Sequence, residues 1–297
     1  MSNLRGLAIW KILKITGFTL GGVIFVMASY LGILFYPGIL FANQVEYKNF
    51  TVYSQQDLGG GIEAILDEIE AALVTSEIYD PSLEHDIFFG YGNTTFRIIQ
   101  DIRWRLISLV IGLSPVLTYN ASAPPYFNHV ISFRIPDVEN NALLHPERLT
   151  PINMTHVLTH EVVHTLLTSK IGLQQIPRVP VWKQEGYGDY IAASTNILAD
   201  PSYSLRESVE RILSQDLSWM QDDQGDYTPM RYGCQRLSSI ENEEGYPGFT
   251  CYYIGRVLLE YLFDVKGMSF DEVMNRGVAD TETLYELIAA YESGNLD

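Results

Sequence analysis

Two histidines one helical turn apart, followed later by a glutamate, constrain this chain more than any other feature. The sequence HEVVH runs from His160 to His164, and Glu185 lies in VPVWKQEGYGDY. Residues four apart on an α-helix share one face, so both imidazoles can reach one cation, with bonds of about 2.0–2.1 Å to zinc. A catalytic zinc also needs a third protein ligand and an open fourth position. The spacing therefore predicts one Zn2+ ion held by His160, His164 and Glu185.

The residue between the two histidines suggests what such a metal would do. Glu161 directly follows His160 and projects beside the face that carries the ligands. A carboxylate at that place can take a proton from a metal-bound water. Hydrolysis, with Glu161 as the general base, is therefore the expected chemistry.

Two helices are expected to carry these residues, and the first is expected to be buried on most sides. Apolar residues surround the first helix on most sides, and Gly172 is a plausible C-terminal stop. A second helix is predicted to begin near Val181, after a loop with two prolines, and to carry Glu185 in its first turns. The first helix would thus supply two ligands and the second helix would supply Glu185.

At these residues the chain resembles the gluzincin metallopeptidases, which include thermolysin-like enzymes and zinc aminopeptidases. Their pattern is HExxH, then a glutamate ligand about twenty residues later, often within W-x-x-E-G-x-x-x-Y. The corresponding residues here are Trp182, Glu185, Gly186 and Tyr190. The metzincin pattern does not fit, because Leu167 and Lys170 occupy the positions of its glycine and third histidine.

The resemblance implies both a fold and further roles. It implies an α+β zincin-like catalytic domain, with a mixed α/β N-terminal lobe and a helical C-terminal lobe, that acts on peptides or proteins. It also implies that Asp189 orients a ligand imidazole from behind, although a solvated helix residue is the competing interpretation. His156 lies two turns before His164, about 12 Å along the axis, so a structural or supporting role is expected for it.

A tyrosine is the expected stabiliser of the oxyanion. No histidine follows His164, so the thermolysin-type downstream histidine is absent. The aminopeptidase-type alternative is a tyrosine in a Y-x-x-G context, and Tyr252 stands three residues before Gly255. Tyr252 is the candidate catalytic residue, and its neighbour Tyr253 stays open.

The resemblance does not cover the substrate pocket. The G-x-M-E-N segment with which zinc aminopeptidases hold a substrate's amino terminus is absent, so exopeptidase action has no support. HVISFRIP, residues 129 to 136, is predicted to be a strand. By resemblance it would be the edge strand along which a peptide binds.

The N-terminal region indicates where the chain resides. Residues 15 to 45 contain no charged side chain. As a helix, this segment is long enough to cross about 30 Å of hydrocarbon. Arg5, Lys11 and Lys14 precede this run, and Glu46 is the first charge after it. The positive-inside rule therefore predicts a single-pass anchor with a cytoplasmic N-terminus and an extracytoplasmic remainder. A cleaved signal peptide is the alternative.

Two cysteines and the charge balance agree with that location. Cys234 and Cys251 are the only cysteines, and an oxidising compartment would let them form a disulfide worth about 3 kcal/mol. The formal net charge of −17 argues against a nucleic-acid partner, because phosphate binding requires a basic surface.

Residues 1–45 are thus predicted to be a cytoplasmic N-terminus and transmembrane anchor, and residues 46–297 a single extracytoplasmic domain. Within the domain, residues 97 to 113 could form a helix or a membrane-facing apolar segment, and their arginines argue against spanning. Two other functions stay open: a non-catalytic zinc-binding scaffold or receptor, and a zinc hydrolase of a non-peptide amide. The retained Glu161 favours an enzyme, because metal binding alone does not need it.

Overall fold

The protein is a mixed α/β structure that follows one apolar N-terminal helix. A computed structural model describes residues 2–111, 121–122, 129–132, 154–195, 204–214, 221, 224–226, 249–275 and 277–296. The strands are β1 (Asn43–Tyr47), β2 (Phe50–Ser54), β3 (His85–Phe89), β4 (Ala121–Ser122) and β5 (His129–Ser132). The helices are α1 (Ser2–Phe35), α2 (Gly61–Leu73), α3 (Thr94–Ile111), α4 (Met154–Ile171), α5 (Val181–Ala192), α6 (Leu205–Leu213), α7 (Gly255–Glu260), α8 (Phe270–Met274) and α9 (Asp280–Glu292). Short 3-10 helices occur at Pro37–Leu40 and Ile176–Arg178, and π-helical turns at Phe249–Ile254 and Tyr261–Val265 flank α7.

Helix α1 contains the first part of the predicted uncharged run, residues 15–35, and the rest of the run, up to residue 45, includes a 3-10 helix and the start of β1. The segment Lys14–Ile33 has a mean hydropathy of 1.6 and is not buried against the rest of the protein. By length and composition it is a candidate membrane span near the N-terminus.

The sheet has the strand order β1-β2-β3-β5-β4. Strands β1 and β2 form an antiparallel hairpin, β2, β3 and β5 run parallel, and β4 pairs antiparallel with β5. Helix α2 connects two of the parallel strands, as a parallel connection requires. The expectation that β5 lies at the edge is wrong, because β3 and β4 pair with its two sides. Strand β4 pairs with Ile131 and Ser132 of β5, and residues 133–136 of the predicted strand lie outside the described residues.

The two faces of the sheet pack against different helices. Successive side chains of a strand point to opposite faces, and Val52, Ile87 and Val130, which are cross-strand partners, enter the main core with α2 and α4. The residues that follow them along the strands are Tyr53, Phe88 and Ile131, and these point to the other face. There they form a smaller, mainly aromatic cluster with Phe41 and with Phe96 of α3. The sheet thus separates the core that contains α4 from the side that contains α3 and the exit of α1.

Helix α4 lies in the main core, in contact with α2 on one side and α5 on another. Buried side chains occupy most of its circumference, as predicted, and they include the polar Thr155, Thr159 and His160. Gly172 ends the helix with a φ of 88°, a left-handed conformation that glycine adopts without steric cost. Because α4 is enclosed, any polar group on it needs a partner inside the protein.

Candidate metal centre

Helices α4 and α5 bring the three predicted ligands together. His160 and His164 are one turn apart on α4, and Glu185 lies in the second turn of α5. The His160 Nε2 atom is 3.0 Å from His164 Nε2 and 3.1 Å from Glu185 Oε2, and His164 Nε2 is 3.4 Å from the same oxygen. One nitrogen or oxygen from each residue therefore lies at a corner of a small triangle, as a shared cation would require.

The size of this triangle fits zinc. Four ligands placed tetrahedrally at about 2.0–2.1 Å from zinc are separated from each other by about 3.3–3.4 Å. The observed separations of 3.0 to 3.4 Å are close to that edge length. The donor set of two imidazoles and one carboxylate is also the one found in catalytic zinc sites that leave a fourth position open. The residues present therefore fit one Zn2+ ion.

Asp189 lies behind His160, on the side away from the three ligand atoms. Its Oδ1 atom is 2.7 Å from His160 Nδ1 and 3.2 Å from His156 Nε2. Because an ionised carboxylate only accepts, the Nδ1 of His160 must donate, so in the neutral, metal-binding imidazole the lone pair is on Nε2 and is directed at the triangle. Asp189 thus has the geometry predicted for it, and it also binds His156, a contact that the sequence did not reveal.

The buried charges of the cluster support one another. Burial alone would raise the pKa of Asp189 and of Glu185, but His156 and His160 around Asp189, and His164 and His160 around Glu185, hold both pKa values well below their usual range. Both carboxylates are therefore ionised, which is the form that binds a cation. Burial lowers the pKa of His160, but hydrogen bonds to Asp189 and Glu185 outweigh it and raise that pKa well above 6.5.

Glycines allow α5 to approach its neighbours this closely. A Cβ atom on Gly188 would lie 2.7 Å from Nδ1 of His160, and one on Gly186 would lie 2.5 Å from the carbonyl carbon of Gly255. The first contact leaves room for the imidazole, and the second lets α5 touch the start of α7. Glycine in a helix interior costs about 1 kcal/mol relative to alanine, so two in α5 are themselves a signal of close packing that sequence reasoning did not use.

The two predicted catalytic side chains lie beside the cluster. Glu161 is half-buried on α4, about 60° around the helix axis from His164. Tyr252 is half-buried in the π-helical turn before α7, with its ring centroid 5.5 Å from that of His160. Tyr253 is 8% exposed and packs in the main core. Of the two candidate tyrosines, Tyr252 is the one whose ring faces a predicted ligand.

Lys183 secures the first turn of α5 and was not anticipated. Its side chain is fully buried, and Nζ donates to the carbonyl oxygens of Val273 and Asn275 at 2.7 Å each. Burial lowers its pKa to about 8, against the attraction of Asp280. This clamp fixes α5 to the end of α8, and so helps to hold Glu185 in place.

The predicted disulfide falls largely outside the described residues. Cys234 is not among them, and Cys251 is described only as part of the π-helical turn before Tyr252.

Comparisons with protein-family models, with curated proteins and with solved structures find no match for this chain. The site therefore has to be interpreted from its own geometry.

Proposed function

We propose that this protein is a membrane-anchored, zinc-dependent peptidase with a zincin-like catalytic domain of the gluzincin type. The observation that carries the proposal is the triangle of ligand atoms from His160, His164 and Glu185, with separations of 3.0 to 3.4 Å. The order of parts is consistent with it. A mixed sheet precedes the two site helices, and the described chain beyond them is mainly helical.

Each residue of the proposed site has a separate role in the reaction. A zinc ion bound by the three ligands would supply a Lewis acid that polarises the substrate carbonyl and acidifies a water molecule. Glu161 takes the proton from the attacking water and passes it to the leaving amine. Tyr252 donates its hydroxyl proton in a hydrogen bond to the charge that develops on the carbonyl oxygen. Asp189 keeps the Nδ1 proton on His160, so that Nε2 remains a ligand.

Location forms part of the proposal. Helix α1 is retained as an anchor, with its N-terminus in the cytoplasm, because Arg5, Lys11 and Lys14 precede the uncharged run and Glu46 is the first charge after it. The catalytic domain is then extracytoplasmic, and its substrates are peptides or proteins of that compartment.

The test compares hydrolysis with metal content in the full-length protein in detergent. Wild type, Glu161→Gln and the control Glu207→Gln, which changes an exposed glutamate on α6, are incubated with a peptide library. Glu161→Gln is expected to hold as much zinc as wild type but to lose about 10²–10⁴-fold in turnover, whereas the control keeps both. A wild type that binds zinc and cleaves nothing would indicate the scaffold function. Undiminished cleavage by Glu161→Gln would rule out the mechanism.

A further inference from the structure

Helix α3 presents apolar side chains to solvent. Ile98 and Ile102 are one turn apart and are 53% and 43% exposed. Phe96 and Gln100 occupy the opposite face and are buried against the sheet side of the protein. Single exposed isoleucines are ordinary, but an apolar row on one helix face indicates a surface that contacts something else.

The start of α3 is tied to the segment that leaves α1. Asn93 Nδ2 donates to the carbonyl oxygen of Leu40 at 2.7 Å, and the ring of Phe41 packs edge-on against Phe96 with centroids 4.9 Å apart. The candidate span ends at Ile33, seven residues before Leu40, and seven residues reach at most about 25 Å. The first turn of α3 is therefore held near the point where α1 would leave the hydrocarbon.

The connecting segment has the character of a membrane interface. Tyr36 and Ile39 are 74% and 72% exposed, and aromatic residues next to a span are typical of the boundary between lipid and water. This exposed apolar surface is therefore continuous in sequence with the candidate span, and it lies on the same side of the sheet as α3.

The charge of α3 suits a phospholipid surface. The helix contains Arg97, Arg103 and Arg105 against a single acid, Asp101, in a chain with 19 basic and 36 acidic residues. Arginine binds phosphate groups well, and these include the phosphates of lipid headgroups. The exposed Arg97, next to the exposed Ile98, therefore suits a phosphate-bearing surface in a chain that is acidic as a whole.

We propose that α3 docks on the surface of the lipid leaflet from which the C-terminal end of α1 emerges. Ile98 and Ile102 face the acyl chains, and Arg97 lies at the level of the phosphates, as in interfacial amphipathic helices. The inference rests on the anchor in the proposed function, but not on the proposed zinc chemistry. With two attachments, the catalytic domain has a fixed orientation relative to the membrane.

The test is photocrosslinking of the full-length protein in vesicles of phosphatidylcholine and phosphatidylglycerol. The photoreactive residue p-benzoylphenylalanine replaces Ile98, or Phe25 within the candidate span, or Leu173, which is 45% exposed in the turn after α4. Mass spectrometry then measures lipid adducts at each position. The yield at Ile98 is expected to approach that at Phe25 and to exceed that at Leu173 several-fold.

Each outcome separates the docking from the anchor. Adducts at Phe25 but not at Ile98 would overturn the docking and leave the anchor intact, and no adducts at Phe25 would overturn the anchor itself. Crosslinks from Ile98 to a second copy of the chain would show that protein covers this face, which also overturns the docking. Ile102→Asp should lower the lipid yield at Ile98 several-fold, whereas the matched change Leu173→Asp should not.

Discussion

His160 on helix α4 and His85, which contacts that helix, are both buried, but their surroundings shift their pKa values in opposite directions. His160 lies on α4 itself between Asp189 and Glu185, and these hydrogen bonds overcome the effect of burial and raise its pKa. His85 lies at the start of β3, with its Nδ1 atom 2.9 Å from the hydroxyl oxygen of Thr165 on α4. Burial lowers the pKa of His85 to about 4.

The difference shows where the core accepts charge. A buried carboxylate is costly unless it has a partner of opposite charge. Two carboxylates, those of Asp189 and Glu185, lie next to His160. Around His85 burial dominates, because Asp86 and Asp80 oppose it only by attraction at a distance. Helix α4 thus has a neutral polar contact, between Thr165 and His85, and a cluster around His160 whose two carboxylates favour binding of a cation. The following predictions test that contrast.

The largest effect is expected at Tyr252, beside the His160 cluster. Tyr252→Phe removes the proposed hydrogen-bond donor and should lower turnover of peptides by about 10²–10³-fold, with zinc content unchanged. Tyr253→Phe is the matched control, because that ring packs in the core. Equal losses in both variants, measured as kcat on one peptide substrate, would remove Tyr252 from the proposed mechanism.

A smaller effect is expected from His85, on the neutral side of the contrast. Its pKa is about 4 in the folded protein, below the ordinary 6.5, so the unfolded chain takes up a proton first as the pH falls. The contribution of His85 to the free energy of unfolding is therefore lost progressively between pH 6.5 and pH 4, by about 3 kcal/mol in total. His85→Asn keeps a donor near Thr165 and should reduce the loss of unfolding free energy over that range. An unchanged pH profile in chemical denaturation would contradict this account.

Asp189 tests the charged side of the contrast. Asp189→Asn keeps the shape of the side chain but removes the charge that fixes the His160 tautomer, and zinc affinity should fall about 10- to 100-fold. The control is Asp264→Asn, because Asp264 accepts a hydrogen bond from Tyr190 on the same helix α5. Competition with a zinc chelator measures both variants. A loss of equal size in the control would show that α5 was merely disturbed.

The smallest effect is expected from Gly188→Ala. The added Cβ would lie 2.7 Å from His160 Nδ1, so the imidazole must shift, at a cost of about 1 kcal/mol. Zinc affinity should fall by about tenfold or less. Gly60→Ala is the control, because a Cβ there meets no atom within 4 Å. Chelator competition that gives the same affinity for both variants would show that the ring has room to move.

The sequence predicted the parts of the site that depend on local spacing. His160 and His164 share a face because of helical periodicity, and Glu185 follows in a helix whose start near Val181 is confirmed. Asp189 lies one turn beyond Glu185 on the same helix, so its contact with a ligand imidazole, that of His160, could also be predicted from spacing.

Contacts between distant segments could not be predicted in this way. The bond from His156 to Asp189 and the choice between Tyr252 and Tyr253 depend on how α4, α5 and α7 pack together. The clamp of Lys183 on the end of α8 spans about ninety residues of sequence, and no spacing rule connects them. The hairpin β1–β2 was not predicted, because its first strand begins within the uncharged run of residues 15–45, whose composition dominates that part of the chain.

Zinc content of the full-length protein tests the central claim most directly. Wild type, His160→Ala and His85→Asn are purified without added metal, and bound zinc per chain is measured by plasma mass spectrometry. About one zinc per chain is predicted for wild type and for His85→Asn, and almost none for His160→Ala. A wild type without zinc, or a His160→Ala variant that retains it, would contradict the account.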